Sequence, residues 1–359
     1  MVKYRFVQTY EELERLSPMW DELFTISESP NFPASAGFTR AWWRAYEKSR
    51  RMHIAVIEDE AGTLRLIAPF QSERKNPLRW EGVGTNLINY NPILIRPHDG
   101  DSLRQLFAWL KHQLGWNRLV LRTSATSTLS RLFRLTYTAS LNHIQKVRRW
   151  ANLGSLFIEQ DSQPNHPVIS GEALRKLGDL PHHDSHHRSL RRLKPYGAPG
   201  HVTVTHADDA ERYFDHLCKL HIAEWASRGR TSHLADPETR QFSLLFLYEL
   251  ASYQMLRMDV LTVDGRPIAF QVGAWWKELL EGWMVCFDID YAKVSPGRLL
   301  FSYMIPSLLA DGITELDLGR GMQDYKLQYN PEIRETVTMN IHRSPLHAVS
   351  YKLQKRFGS

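Results

Sequence analysis

Two stretches hold residue types at a spacing that can do chemistry. Residues 288–300 read DIDYAKVSPGRLL, where a serine, a proline and a glycine stand just ahead of an apolar helical run. A helix opening there leaves the N–H groups of its first turn without intrahelical acceptors and presents the positive end of its dipole. Gly297, Arg298 and Leu299 are therefore candidate ligands of an anion such as a phosphate. A plain capped helix, with Ser295 as N-cap and Pro296 in the first turn, accounts for the same residues. The second stretch, ITELDLGRGMQDYKLQYN (313–330), is a short strand released by Gly319 and Gly321, followed by Arg320, Asp324, Tyr325 and Lys326. Polar groups beyond the carboxyl end of a strand are where open α/β sheets place ligands. A polar turn is the alternative.

Other reactive residue types carry less. Cys286 sits among apolar strand residues with no histidine close in sequence, which describes a buried thiol and not a nucleophile. The HHDSHH run (182–187) contains histidine pairs four apart, but Pro181 precedes it and no cysteines follow, so no metal site is expected. Arg188, Arg191, Arg192 and Lys194 form the densest basic cluster, readable as a solvated helix face or as an anion-facing one.

These residues need elements to position them. YEELERLSPMWDELF repeats Leu13, Leu16, Trp20 and Leu23 at helical spacing, with Pro18 expected to break or kink it. GFTRAWWRAYEKS predicts a second helix, and HIAVIEDEAGTLRLIAPFQ a hairpin turning at Ala61-Gly62. Residues 258–272, MDVLTVDGRPIAFQV, predict another hairpin, turning at Asp264-Gly265 and ending in Ala269-Phe270-Gln271 where the first has Ala68-Pro69-Phe70-Gln71. Each hairpin follows a helix with tryptophan, Trp42-Trp43 or Trp225. The two matches together point to two copies of one αβ unit. The fold class expected is α/β, a mixed sheet with flanking helices.

At 359 residues with 43% apolar content the chain can build two cores. The expected division is 1–160, a basic linker or helix over 161–200, and 201–359. The formal charge of +6 suits an anionic ligand without requiring one. Two cysteines fit a reducing compartment, and no apolar run reaches the ~18 residues of a membrane span. A soluble cytoplasmic protein is expected.

The stretch FDIDYAKVSPGRLLFSYMIPSLLADGITELDLGRGMQDYK resembles the CelD/BcsL-type acetyltransferases, whose domain is also called BioF2-like, within the GNAT superfamily. The resemblance rests on Phe287, Asp288, Tyr291, Ala292, Ser295, Pro296, Gly297, Leu299 and Leu300. It continues in Asp317, Gly319, Gly321, Tyr325 and Lys326. It is close over about 55 residues and looser over the rest of the C-terminal half. It implies a GNAT fold, two in tandem as in Fem-type aminoacyltransferases, with a degenerate N-terminal copy that lends one wall of an acceptor groove. The chain keeps only Gly297 of the glycines in the usual GNAT phosphate loop.

The chemistry so implied is direct attack of a primary amine on an acyl-CoA thioester, acetyl by default, with no metal. Such a reaction needs a base for the amine proton and donors for the oxyanion. Glu281, Asp288, Asp317 and Asp324 are the available carboxylates, with Asp288 and Asp317 favoured because they lie inside the matched stretches. Tyr325 is the expected acid for the leaving thiolate; Arg320, Asp324 and Lys326 are expected on the substrate. Ser295, Gly297, Arg298 and Leu299 would meet the CoA pyrophosphate. The acceptor would be an amine on a sugar, lipid intermediate or small metabolite, with exopolysaccharide production as the associated pathway. Two alternatives stay open: an aminoacyl-tRNA donor, as in Fem-type proteins, and a non-catalytic scaffold in exopolysaccharide assembly.

Overall fold

The computed structural model describes residues 2–27, 31–85, 87–91, 93–124, 127–130, 148–150 and 156–357. In chain order the elements are β1 (Lys3–Val7), α1 (Tyr10–Ile26), α2 (Ala36–Tyr46), β2 (Arg50–Glu58), β3 (Leu64–Glu73), β4 (Asn76–Gly82), β5 (Leu94–Ile95), α3 (Gly100–His112), β6 (Arg118–Ser124), β7 (Arg148–Trp150) and β8 (Phe157–Ser170). They continue with α4 (Gly171–Leu177), α5 (Asp184–Leu193), β9 (Pro199–Val204), α6 (Ala207–Ser227), α7 (Pro237–Ser252), β10 (Leu256–Val263), β11 (Arg266–Trp276) and β12 (Leu279–Phe287). Last come α8 (Pro296–Ala310), β13 (Glu315–Asp317), α9 (Asp324–Leu327), β14 (Glu332–His342) and α10 (Pro345–Phe357).

The chain forms two compact units, Met1–Pro164 with Arg334–Ser359, and Asn165–Ile333. Each follows the same plan. In the first, β1, β2, β3 and β4 pair antiparallel in turn, and β4 then pairs β6 in parallel after the α3 crossover. In the second, β9, β10, β11 and β12 pair antiparallel, and β12 pairs β13 in parallel after the α8 crossover. Two helices separate the first and second strands in both, so the repeat read from the hairpins extends through the whole topology. The corresponding turns are built alike in demanding positive φ: Gly62 at 83°, and Asp264-Gly265 at 47° and 81°, the conformation a tight hairpin needs.

Each unit is completed by a strand from elsewhere in the chain. β14 runs antiparallel to β6 in the first unit, and the end of β8 runs antiparallel to β13 in the second. These units differ from a division at 160 and 200 in two places. The last 26 residues belong with the first unit because β14 pairs there, and the segment expected as a linker contributes the end of β8, α4, α5 and the start of β9 to the second.

The cores follow from the sequence pattern. In the first unit α3 sends Leu103, Leu106, Phe107 and Leu110 onto Ile57, Leu66, Ala68 and Trp80. In the second α8 sends Phe301, Met304, Ile305 and Leu308 towards Leu280 and Leu316 on one cluster, and Leu299 and Leu300 towards Leu261, Ile268 and Ala269 on another. Pro18, expected to break or kink its helix, does not break it: α1 runs through Pro18, as α8 runs through Pro306. Packing along both helices outweighs the one lost backbone bond.

Candidate functional site

β12 organises the second unit. On one edge it pairs β11 along its whole length, with a register shift between Val272 and Gly273. On the other it meets β13 over three residues only, Leu279↔Glu315, Leu280↔Leu316 and Glu281↔Asp317. β13 stops there while β12 continues to Phe287, so the two parallel strands part. At Gly282, just past the last pair, a Cβ would lie 2.7 Å from the Asp317 backbone oxygen.

The backbone alternation decides what faces the gap. Asp288 N–H donates to Ile268 O on β11 at 2.8 Å, so the N–H groups of Phe287 and Val285 point to the opposite edge. There the Phe287 N–H meets Glu224 Oε2 at 3.0 Å. Glu224 is buried on the stripe of α6 that also buries Phe214, Leu217, Cys218 and His221. Its other oxygen is paired with Arg228. Burial raises the Glu224 carboxyl above its ordinary range, partly offset by the Phe287 N–H and Arg228. Tyr325 lies close enough to feel this charge: burial first, and then the Glu224 carboxylate, push its hydroxyl well above the usual value.

Sequence reasoning missed Glu224. The signal was a carboxylate three residues after His221 and seven after Leu217, on the buried face of an amphipathic helix. A carboxylate placed there is held by something specific.

Asp288, favoured from sequence as a proton acceptor, is engaged structurally on both oxygens. Oδ1 accepts the Asp290 N–H at 3.1 Å, capping the turn Ile289–Val294, and Oδ2 pairs with Arg266 at 2.9 Å. Asp317 is likewise held: Oδ2 lies 2.6 Å from His166 Nε2, and Oδ1 accepts the Gly319 N–H at 2.7 Å. Lys326, expected on the substrate, instead turns inward and donates to Gly319 O at 2.9 Å and Arg320 O at 3.1 Å. It therefore pins the Gly319–Gly321 turn beyond β13. Burial pulls its ammonium down to about 8, with Asp317 opposing. Arg320 and Asp324 are exposed at this turn and at the start of α9.

The start of α8 holds the residues expected to form the cradle. Ser295 is left-handed (φ 55°) and its side chain makes no capping bond, so the serine-cap account is corrected: its backbone carbonyl takes the Leu299 N–H at 3.1 Å. The N–H groups of Gly297 and Arg298 precede that first bond of the ladder. Around Gly297 there is open space, with nothing within 4 Å of a Cβ. Arg298 is exposed and bonds Gln328, while Leu299 is buried. Arg192 on α5 reaches Lys293 O at 3.2 Å, bringing the basic cluster to the loop before α8.

The histidine run lies on α5 and at its start, where His186 Nδ1 meets Ser302 Oγ on α8 at 2.7 Å. Among the described residues no group of His, Cys, Asp or Glu could hold a metal ion. Cys286 is buried, as expected, and burial raises its thiol. Among the described residues no helix is long and apolar enough to cross a membrane.

Residues 184–327 match the family model for the acetyltransferase (GNAT) domain. No curated protein matches the chain. Among solved structures, FemX is similar at 8% identity and a TM-score of 0.58, covering 97% of this chain and 99% of its own. A tandem GNAT protein from the clavulanic acid biosynthesis pathway is similar at 11% and 0.52, covering 96% and 99%. L-PGS from Bacillus licheniformis is similar at 10% and 0.50, covering 95% and 96%. The parted strands, the crossover helix and the repeated topology thus belong to a chain of mixed α/β fold like that of tandem GNAT proteins, in which residues 184–327 match the acetyltransferase (GNAT) domain model.

Proposed function

We propose that this protein is an N-acyltransferase that moves an acyl group, acetyl by default, from acyl-CoA to a primary amine in a ternary complex. The observation that carries this reading is the gap between β12 and β13, with the Val285 N–H directed into it and a buried, proton-hungry carboxylate, Glu224, at its edge.

In this reading the pyrophosphate of CoA rests on the N–H groups of Gly297 and Arg298, and the thioester enters the gap. The amine nitrogen attacks the thioester carbonyl carbon, and the oxyanion accepts from the Val285 N–H. Glu224 takes the amine proton, which its raised affinity for protons favours. The C–S bond then breaks, and the Tyr325 hydroxyl protonates the departing thiolate. Asp288, Asp317 and Lys326 act by position: the first fixes the turn before α8, the other two the glycine turn after β13. Ser295, Leu299, Arg320 and Asp324 border these two turns, the last two towards the acceptor. The second unit is the catalytic domain, and the first a degenerate copy. The CelD/BcsL-type resemblance extends the reading to an amine on a sugar, lipid intermediate or metabolite of exopolysaccharide production.

A second reading replaces acyl-CoA with aminoacyl-tRNA. It is favoured by the exposed Arg188, Arg191 and Lys194 on and after α5, beside the loop that Arg192 joins.

Calorimetric titration with CoA, acetyl-CoA and longer acyl-CoAs, alongside Gly297→Trp, tests the donor. Micromolar binding corresponds to about −8 kcal/mol, and its loss in the variant supports the acyl-CoA reading. If no CoA species binds, charged tRNA takes its place, and binding should then weaken steeply with salt. Turnover with neither donor would leave the scaffold.

A further inference from the structure

α10 presents its apolar residues to solvent. Leu346 is 80% exposed, Val349 54% and Leu353 51%. Spaced three and four apart, they form one stripe along the helix. The face opposite this stripe packs on the first unit. Ala348 is buried, and Tyr351 lies against His342, with ring centroids 5.3 Å apart, and under the Arg118 guanidinium at 4.1 Å. The usual amphipathic arrangement is thus inverted: small and aromatic residues dock the helix, and the large aliphatics look outward.

A fourth exposed aliphatic lies beside the stripe. Arg343, just ahead of α10, donates to Gln113 O at 3.1 Å, and its N–H bonds Asn117 O at 3.1 Å. These contacts bring the loop after α3 beside the start of α10. At that loop's tip Leu114 is 84% exposed.

Charge selects among occupants. From Arg343 to Phe357 the sequence holds Arg343, Lys352, Lys355 and Arg356 and neither Asp nor Glu. A second copy seated on this face by a two-fold axis would set two such helices against each other, like charge to like. Four aliphatic side chains also fall short of the roughly 800 Å² per partner that a stable dimer buries. An anionic lipid surface satisfies both features, taking the aliphatic row at the headgroup boundary and the cations among the headgroups.

We propose that α10 and the Leu114 loop dock the protein on anionic lipid bilayers, peripherally and reversibly. The inference is independent of the transfer chemistry, because it rests on the first unit alone.

Co-sedimentation of the full chain with vesicles tests it. Vesicles of phosphatidylglycerol and phosphatidylcholine in equal parts are compared with phosphatidylcholine alone, at low and high salt. The expected result is binding to the mixed vesicles, at least tenfold weaker on phosphatidylcholine and weakened by salt. The variant Leu346→Glu/Val349→Glu/Leu353→Glu should lose at least tenfold in binding. Because all three residues face solvent, its far-ultraviolet spectrum and thermal transition should match the wild type. A second variant, Leu114→Glu alone, should lose binding partially. Wild-type protein that stays in the supernatant of anionic vesicles overturns the proposal, as does equal binding by the triple variant. A sedimentation velocity profile that is dimeric for the wild type and monomeric for the variant, without lipid binding, would assign the face to a second copy instead.

Discussion

The Glu224 carboxylate receives the backbone N–H of Phe287 at 3.0 Å, joining the buried face of α6 to the end of the strand that parts from its neighbour. This single bond places a carboxylate at the edge of a gap lined by peptide groups. It also explains how a charge can stand on the apolar stripe of a helix. Phe287 N–H and Arg228 satisfy its two oxygens, while the surrounding core still raises its proton affinity.

Glu224→Gln should therefore lower kcat by about 10²- to 10⁴-fold with the fold intact. The amide oxygen can still accept from Phe287. In the wild type the acid limb of the kcat/KM profile should lie above the ordinary carboxylate range, and the variant should lack it. The sign for stability is opposite. A carboxyl raised in the folded state stabilises below its unfolded pKa, and that contribution is lost as pH rises through the folded value. At neutral pH the Gln variant should thus melt at or above the wild-type temperature. A variant of unchanged kcat would remove Glu224 from the chemistry.

Lys326 gives a prediction at the other end of the pH scale. Its ammonium is buried and its pKa falls from 10.5 to about 8 on folding, because burial disfavours the charge. Between those values the unfolded chain binds the extra proton, so stability rises with pH across the window. Relative to Lys326→Met, the wild type should gain about 3 kcal/mol between pH 7.5 and 10.5, at the 1.36 kcal/mol per pH unit of such linkage. Below pH 8 the variant still leaves Gly319 O and Arg320 O without the amine, a loss of about 1–3 kcal/mol. Urea unfolding of both proteins across this range measures the difference; parallel curves would mean that the amine is not desolvated.

What could be read in the sequence was what local chemistry writes there. Pro296 and Gly297 marked the start of α8, Gly62 and Gly265 the hairpins, and the matched hairpins the repeat. Glu224 is not legible because its partner is 63 residues away in the chain. The ion pair of Asp288 is hidden from the sequence because Arg266, on the neighbouring strand, is joined to it only by the pairing of β11 with β12. The Lys326 side chain looked like a ligand contact until the glycine turn folded back onto it. The strand contributions of β8 and β14 depend on pairings between distant parts of the chain, which no window of residues displays.

Asp317 tests how far the gap depends on its floor. Its carboxylate serves His166 and the Gly319 N–H together. Asp317→Asn can keep an acceptor for one partner, and its amide cannot serve both in the same way. The expected loss is about 1–3 kcal/mol. A double-mutant cycle with His166→Ala should show coupling between the two positions, since they share one bond. Additive effects would show that the 2.6 Å contact carries no energy.

Two glycines near the gap separate fold from binding. At Gly282 a Cβ would stand 2.7 Å from the Asp317 backbone oxygen, which cannot swing aside as a side chain can. Gly282→Ala should push β12 off β13 at a cost of about 1–3 kcal/mol and widen the gap. Gly297 is the reverse case. Nothing lies within 4 Å of its would-be Cβ, and it sits in the first turn of α8. Gly297→Ala should hold stability or raise it by about 0.4–1 kcal/mol, since alanine restricts the unfolded chain. Any weakening of donor binding in this variant then reports steric contact at the helix start. Thermal melts paired with acyl-CoA titrations of both variants distinguish the roles: Gly282→Ala lowers the melt, while Gly297→Ala leaves it level or raises it and acts on the titration. Equal effects of the two on stability would mean that the strands do not meet at Gly282.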